Sequence, residues 1–454
     1  PARGPDAQGY DVSIAAGHAG APPSSYFAVE NQHDLGNYTF ELPDLDDANY
    51  GTSAPVAGEY ITDRMTDKAI GFIQDVVDNF DSQPFHLTLA HYAVHTPMEA
   101  QPNAIAPAGK GYEYFQAKKT GMAADFAAHP GGATGLITDY SVKTRIHQDN
   151  AVYAAMMKSY DNSLAELRAY LAVTDDPRNV GMKLSDTTII VVSSDHGGKS
   201  TTPIADNKSL EDDGVDTVNP APTYDAGSGV YKSGTPNAYS SYPTSNYPYR
   251  QGKTWVYEGG LKVPLIVHIP WLTAAGGTTD AFVNHTDLFA SFVDMAGGTQ
   301  STESKDSVSF MLPVTQPQVA ARDELFHFFT NANKGTGNPA IGAYRRGDYK
   351  LLYFMVQRKV ELYNLVADPY ERNDLATSRP DLAAEMFDAL YQEVLDSELK
   401  MPKPGSNTWS SEQDDVLVRN GVIGSLPAVP DADPTWVGAG ATQISRTTIE
   451  LNWQ

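Results

Sequence analysis

The chain contains no cysteine and few basic residues, and these two shortages exclude several kinds of site. Without cysteine there is no disulfide, no thiolate metal site and no cysteine nucleophile within these 454 residues. Lysine and arginine number 32 against 56 aspartates and glutamates, which gives a net charge of -24. Such a charge disfavours binding to nucleic acid or to an anionic membrane. An anionic substrate would therefore need a local cluster of cations or a metal ion.

Long apolar runs are also lacking. The stretch Thr188-Ile-Ile-Val-Val192 is far shorter than the roughly 18 to 20 residues that span a bilayer, so no membrane partner is predicted. The first nine residues have neither the basic nor the apolar region of a signal peptide. If the natural chain starts earlier, we expect any export signal to lie there. With 41% hydrophobic residues, the chain can bury a substantial core.

Alternating helix and strand patterns predict an α/β fold for the first part of the chain. Apolar residues recur every three to five positions over 59–80 and again over 150–171, as amphipathic helices require. Strands are predicted at 84–90, 188–192 and 263–269, the second of them buried, and a further helix is predicted at 285–296. In sheets covered by helices, ligands collect at the carboxyl ends of strands.

From about residue 322 the pattern changes to short strands joined by turns. Strands are predicted at 324–329, 340–345, 349–355 and 360–365, with a helix at 381–395. We expect a smaller C-terminal α+β domain built on an antiparallel sheet, with a tail after Lys400 that wraps over the surface. The predicted domains are 1–320 and 321–454.

Polar residues that could support chemistry lie in three segments. They are His91-Tyr-Ala-Val-His95-Thr-Pro97, Ser193-Ser-Asp195-His196-Gly-Gly198 and Arg250-Gln-Gly-Lys253-Thr-Trp-Val-Tyr-Glu258-Gly-Gly-Leu-Lys262-Val-Pro264. Asp195 and His196 follow a predicted strand and could form part of a metal-binding site, or simply a hydrogen-bonded loop. His95 could protonate a leaving group, although a lone histidine is more often structural. Lys253 offers a compact positive charge to an anion, although most lysines are merely solvated.

Taken together and in this order, the three segments resemble the type I sulfatases of the alkaline phosphatase superfamily, most of all the bacterial polysaccharide sulfatases. The resemblance implies an alkaline-phosphatase-like mixed sheet flanked by helices. It also implies a calcium ion, a formylglycine nucleophile and a sulfated carbohydrate substrate. Since such enzymes are exported, a periplasmic or secreted protein is expected.

The resemblance assigns roles to individual residues. It makes Asp195 and His196 metal ligands, and it makes His95 and Lys253 catalytic groups at the sulfate. Its substrate-binding candidates are His18, His91 and Lys262. Of these, His91 could instead brace its turn, and Lys262 stands where the family usually carries arginine.

The family's Asp-Asp metal pair, its formylglycine motif and its Lys-x-His segment have no match in the chain. We expect them on a preceding N-terminal segment, with which this chain would associate. Completed in this way, the protein is predicted to be a sulfuric ester hydrolase. Two alternatives stay open: a phosphodiesterase or phosphonate hydrolase on the same scaffold, and a noncatalytic carbohydrate-binding remnant.

Overall fold

A computed structural model describes most of the chain between residues 58 and 397, together with short pieces before it. The described residues are 5, 9–14, 26–30, 38–39, 58–95, 98–128, 135–139, 142–203, 223–225, 230–232, 243–273, 276–300, 306–330, 337–355, 357 and 359–397. The predicted surface tail beyond Lys400 and the candidate His18 lie outside them.

The α-helices of the described residues vary from one turn to six. They are α1 (Ile61–Asn79), α2 (Tyr112–Gly121), α3 (Ala123–Ala128), α4 (Ala151–Val173), α5 (Leu184–Thr187), α6 (Glu258–Leu261), α7 (Asp287–Met295), α8 (Met311–Thr315) and α9 (Pro380–Asp396). None of these helices is long and apolar enough to cross a membrane.

The strands are short, and every pairing among the described residues is antiparallel. They are β1 (Val29–Glu30), β2 (Tyr38–Thr39), β3 (Glu99–Ala100), β4 (Leu136–Asp139), β5 (Val142–Arg145), β6 (Ile190–Ser193), β7 (Thr201–Pro203), β8 (Thr223–Asp225), β9 (Val230–Lys232), β10 (Leu265–His268), β11 (Glu324–Phe329), β12 (Ile341–Arg346), β13 (Tyr349–Phe354) and β14 (Lys359–Asn364). The sheets have the orders β1-β2, β3-β9-β8, β4-β5-β7, β6-β10 and β11-β12-β13-β14. The sheet β4-β5-β7 was not predicted from the sequence.

The two long helices α1 and α4 form the framework of the first part of the chain, and both predictions are confirmed. Helix α4 begins where Asn150 caps it, because the Asn150 side chain accepts a hydrogen bond from the Tyr153 N–H at 3.0 Å. The helices contact each other through the buried Thr66 hydroxyl, which lies 2.6 Å from that of Ser163. One core cluster includes Ile61 on α1 and Met156 on α4.

Two strand predictions need correction. Residues 84–90 alternate between exposed and half-buried as predicted, but this segment is extended chain without a place in a ladder. The strand predicted at 188–192 is present as β6, yet it is only half-buried. Its antiparallel partner β10 is more open still, with Ile266 58% exposed. An apolar run predicts a strand, but burial depends on what covers its faces.

The C-terminal sheet is confirmed strand by strand and is covered on both faces. Alternate residues of β13 point to opposite sides, as in any strand. Leu351 and Tyr353 pack with α9, whereas Leu352 and Phe354 pack with Trp255 and its neighbours. The α/β class with a smaller C-terminal antiparallel sheet and helix is therefore confirmed. The division at residues 320 and 321 stays a prediction.

Candidate functional site

The first part of the site follows the end of β6, where the chain turns into a loop. The Asp195 carboxylate accepts a hydrogen bond from the His196 N–H at 2.9 Å and lies 3.0 Å from His196 Nε2. Burial alone would raise the pKa of Asp195, but hydrogen bonds and charge from His196, together with the charge of Lys253, lower it to about 2. The carboxylate is thus ionised at neutral pH.

This loop docks on the segment 250–260 through direct backbone contact. The Gly197 N–H donates to the Gly260 carbonyl at 2.9 Å. A Cβ atom on Gly197 would lie only 1.8 Å from the Gly259 carbonyl oxygen, so no larger residue fits without a shift of the backbone. Asn246 joins the two sides, because its amide donates to the carbonyls of Gly198 at 2.7 Å and Gln251 at 3.0 Å.

The docking places Lys253 beside Asp195. The Lys253 N–H donates to the Gly198 carbonyl at 3.1 Å. Burial lowers the pKa of the Lys253 ammonium, and the Asp195 charge partly opposes this, so the two groups act on each other electrostatically. We call Asp195, His196 and Lys253 the charged corner. The structure therefore brings three of the predicted site residues together.

A buried charge cluster supports the charged corner from the C-terminal sheet. Lys350 on β13 is 1% exposed, and its ammonium lies 2.8 Å from Glu258 and 2.9 Å from Glu371. The Glu371 carboxylate also accepts the Glu258 N–H at 2.7 Å. Burial raises the pKa of Glu371 to about 7, with Lys350 opposing and Glu258 adding to the shift. The cluster thus ties helix α6, which follows Lys253, to the C-terminal sheet.

His91 and His95 lie in a separate segment, residues 91–95, which we call the histidine segment. His91 Nε2 lies 2.8 Å from the Ser163 hydroxyl on α4, and its ring packs edge-on against Tyr160. Burial lowers the pKa of His91 to about 4. These contacts favour a bracing role for His91 over contact with substrate. The His95 side chain is exposed, and its carbonyl accepts a hydrogen bond from the Tyr26 hydroxyl at 2.9 Å.

Tyr153, on the first turn of α4, links the histidine segment to the charged corner. Its ring packs against the same core cluster as Tyr92, Ala93 and Val94. Burial raises the pKa of Tyr153, a hydrogen bond with Thr244 offsets part of this, and the negative charge of Asp195 raises it further. The sequence showed Tyr153 only as an apolar position of a helix, so its link to Asp195 was not predicted.

The remaining candidate in the described residues, Lys262, is exposed. Its ammonium lies 5.0 Å from the centre of the Tyr249 ring, a cation–π contact. It follows α6, and its N–H donates to the Glu258 carbonyl at 2.8 Å. Lys262 thus lies on the surface next to the buried charge cluster.

The fit of a metal ion to Asp195 and His196 can be judged from the donors alone. The pair offers an ionised carboxylate and an imidazole, which together supply up to three donor atoms. Calcium takes about six to eight, preferably oxygens. Within the described ranges, no group of three or more histidine, aspartate or glutamate side chains is placed to hold a metal ion. The pair therefore fits as part of a metal site that needs further ligands.

Two family models match the chain. The sulfatase model matches residues 8–298, and a model described as N-sulphoglucosamine sulphohydrolase, C-terminal, matches residues 250–398. The first match alone covers more than half of the chain. The chain belongs to the sulfatase family. The two matches overlap between residues 250 and 298, a stretch that includes Lys253 and the buried Glu258.

Curated sulfatases share limited identity with this sulfatase chain. A sulfatase of Formosa agariphila is 24% identical over 356 residues, covering 76% of this chain and 49% of that protein. An ulvan-active sulfatase of the same organism is 26% identical over 201 residues, covering 37% of each. The chain thus spans half or less of the length of these relatives. Among solved structures, Ps i-CgsB is 19% identical with a TM-score of 0.49, covering 82% of this chain and 62% of that one.

Several residues that shape the site were not predicted. Asn246 lies in a stretch rich in small polar residues, where nothing distinguishes it from its neighbours. Lys350 did carry a signal, because it is a single charge within Tyr349-Lys-Leu-Leu-Tyr-Phe354, a strand whose other residues are apolar or aromatic. A lone lysine in such a strand indicates a buried ion pair. Its partners, Glu258 and Glu371, could not be identified from the sequence.

Proposed function

We propose that the complete protein is a sulfuric ester hydrolase that removes sulfate from a sulfated carbohydrate. The observation that carries the proposal is the charged corner. In a chain of net charge -24, an ammonium, an ionised carboxylate and an imidazole come together where the loop after β6 docks on the segment 250–260. Such a local arrangement can attract an anion that the protein as a whole repels.

Lys253 is proposed to contact a sulfate oxygen. Its ammonium is a compact charge, and its partial burial strengthens its electrostatic interaction with an anion. The bond that breaks joins sulfur to the oxygen of the sugar, and negative charge accumulates on that oxygen. The exposed His95 imidazole is proposed to donate a proton to it, so that the sugar leaves as an alcohol. Lys262 and His18 are proposed to contact the sugar or its neighbouring charges.

Asp195 and His196 are proposed to contribute to a calcium site. The ion would supply positive charge to the sulfate oxygens when bound. The family's nucleophile, a formylglycine, would supply the oxygen that attacks sulfur. Because the bound ion would supply this positive charge, removal of the metal with a chelator is expected to abolish sulfate release. Added calcium should restore it.

The substrate class and the compartment are proposed on the likeness to other sulfatases. One relative is an ulvan-active sulfatase, which makes ulvan a reasonable first polysaccharide to test. We propose a periplasmic or secreted location and association with a segment that carries the nucleophile. The intact mass of the purified protein tests the association, because a mass above 49.1 kDa or a second co-purifying fragment would reveal such a segment.

The test is release of inorganic sulfate by the complete protein from ulvan and other sulfated saccharides, followed by ion chromatography. Lys253→Ala is expected to lower turnover by about 100-fold or more, as removal of a charge-stabilising group does in other enzymes. His95→Ala should lower it less, by about 10- to 100-fold.

Lys158→Ala is the matched control, since Lys158 pairs with Asp161 at the surface of α4 and should not affect turnover. Circular dichroism checks that each variant is folded. Normal turnover in both Lys253→Ala and His95→Ala would contradict the assignments. Glycan binding without sulfate release, even with added calcium, would favour the noncatalytic alternative.

A further inference from the structure

Lys253 lies in a β-turn whose third residue has an unusual conformation. The Trp255 N–H donates to the Gly252 carbonyl at 2.9 Å, so the turn runs from Gly252 to Trp255. Its third residue, Thr254, has a φ of 73°, in the left-handed region. Glycine or asparagine normally fills such a position, and a β-branched residue there is a rare outlier. The turn therefore holds a conformation that its own sequence disfavours.

The contact that holds Thr254 comes from the C-terminal part of the chain. The Thr254 hydroxyl lies 2.8 Å from the Asn338 side-chain oxygen and 2.5 Å from the Lys253 carbonyl oxygen, and these two acceptors share its single proton. Asn338 is 2% exposed and precedes β12. The next turn residue, Trp255, is 1% exposed and packs in the same cluster as Ile341 on β12. The start of β12, an inner strand of the C-terminal sheet, thus lies against two consecutive residues of the turn.

The other side of the turn is fixed by the loop that carries Asp195. Gln251, just before the turn, also has a left-handed φ of 58°. Its carbonyl accepts hydrogen bonds from the Ser200 hydroxyl and the Asn246 amide, each at 3.0 Å. Two left-handed residues that are not glycine therefore flank Gly252 and Lys253. Such outliers persist only where the surroundings enforce them, and they concentrate at functional sites.

We propose that Thr254 and Asn338 are positioning residues for Lys253. Their hydrogen bond holds the turn in its left-handed form and so sets where the Lys253 ammonium stands relative to Asp195. A glycine at position 254 would form the same turn without strain. The threonine therefore supplies a hydroxyl group while its backbone is held in a disfavoured conformation. The inference rests on the proposed role of Lys253 in contacting sulfate.

The experiment compares Thr254→Gly with Thr254→Ser in the complete protein. Thr254→Gly relieves the outlier but removes the hydroxyl. Its melting temperature should be unchanged or higher, whereas kcat for sulfate release from ulvan oligosaccharides should fall about 10- to 100-fold, because small misplacements of a reacting group are costly. Thr254→Ser keeps the hydroxyl and should retain near-normal kcat. A second readout is the affinity for inorganic sulfate, measured by calorimetry, which should fall about 10-fold in Thr254→Gly only.

Two further variants separate positioning from a general structural effect. Asn338→Ala removes the acceptor and should reproduce the kinetic loss of Thr254→Gly. Ala108→Gly is the matched control, since Ala108 is another left-handed residue, with a φ of 56°, in the 3-10 turn of residues 107–109. It relieves the same kind of outlier outside the charged corner and should leave kcat and sulfate affinity unchanged.

The outcomes distinguish this inference from the proposed function. If Lys253→Ala is inactive while Thr254→Gly turns over normally, the hydrolase proposal stands and the positioning role is wrong. If no ester is hydrolysed but sulfate binding depends on both Lys253 and the Thr254 hydroxyl, the positioning role stands and the hydrolase proposal is wrong. Sulfate affinity that is the same in the wild type and Thr254→Gly, or absent in the wild type, overturns the inference.

Discussion

The charged corner and the histidine segment carry the two proposed catalytic groups, but the protein holds them in different ways. Lys253 is held by backbone contacts on one side and by a buried charge cluster and a polar contact from the C-terminal sheet on the other. The histidine segment is held by the His91 contact to α4 and by the Tyr26 hydroxyl, while the His95 ring remains exposed.

Lys253 and His95 are held differently because their proposed catalytic roles differ. A charge that stabilises developing charge must be in place before the reaction, because reorganisation during the reaction would cost free energy. A proton donor must reach a leaving group whose place depends on the substrate. We therefore expect changes around Lys253 to affect turnover. Changes around His91 should affect mainly stability.

The largest effect is expected when the buried charge cluster is broken. Lys350→Met leaves Glu258 and Glu371 buried without their cation, which should lower the free energy of unfolding by about 3 to 5 kcal/mol. Urea denaturation at pH 8 measures it. The double variant Lys350→Met with Glu371→Gln should recover part of the loss. If the free energy of unfolding falls by less than about 1 kcal/mol, the buried charge cluster does not support the charged corner.

A smaller effect is expected where the loop after β6 docks on the segment 250–260. Gly197→Ala places a Cβ against the Gly259 carbonyl and should destabilise the protein by about 2 to 3 kcal/mol while lowering sulfate release. The control is Gly121→Ala at the end of α2, where a Cβ meets nothing within 4 Å. That variant should be neutral or slightly stabilising. Equal behaviour of the two variants would rule out tight docking.

Protonation of His91 in the histidine segment should make the stability of the protein depend on pH. Because burial lowers the pKa of His91 from about 6.5 to about 4, the unfolded chain binds its proton more readily. The contribution of neutral His91 is therefore complete above pH 6.5 and is lost as the pH falls towards 4. His91→Gln should reduce this acid-induced loss by about 3 kcal/mol. Urea titrations at pH 8, 6 and 4 test it, and parallel curves for both proteins would contradict it.

The smallest effect is expected on the surface next to the buried charge cluster. Lys262→Ala removes an exposed cation–π contact with Tyr249 and should cost about 0.5 kcal/mol. Thermal denaturation measures the stability, and sulfate release measures the role in substrate binding. A rise in KM without a change in kcat would support contact with substrate. No change in either constant would limit Lys262 to the surface contact.

Much of the fold was predictable because its signals are local. The spacing of apolar residues located α1 and α4, and alternation with turns located all four strands of the C-terminal sheet. The segment 84–90 shows the limit of this reasoning. Its alternation is real, and Phe85 and Leu87 do pack inward, but a ladder needs a neighbouring strand that local pattern cannot reveal.

The sequence by itself determined helices α1, α4, α7 and α9, the C-terminal sheet and the motifs that mark the sulfatase family, because each depends on residues close together in the chain. Only the tertiary structure decided that Lys253 lies against the loop that carries Asp195, that Lys350 lies between two glutamates, and that Thr254 reaches Asn338. In these contacts the two residues lie 21 to 92 positions apart in the chain. No local pattern determines such pairings, since they depend on how separate backbone segments approach one another.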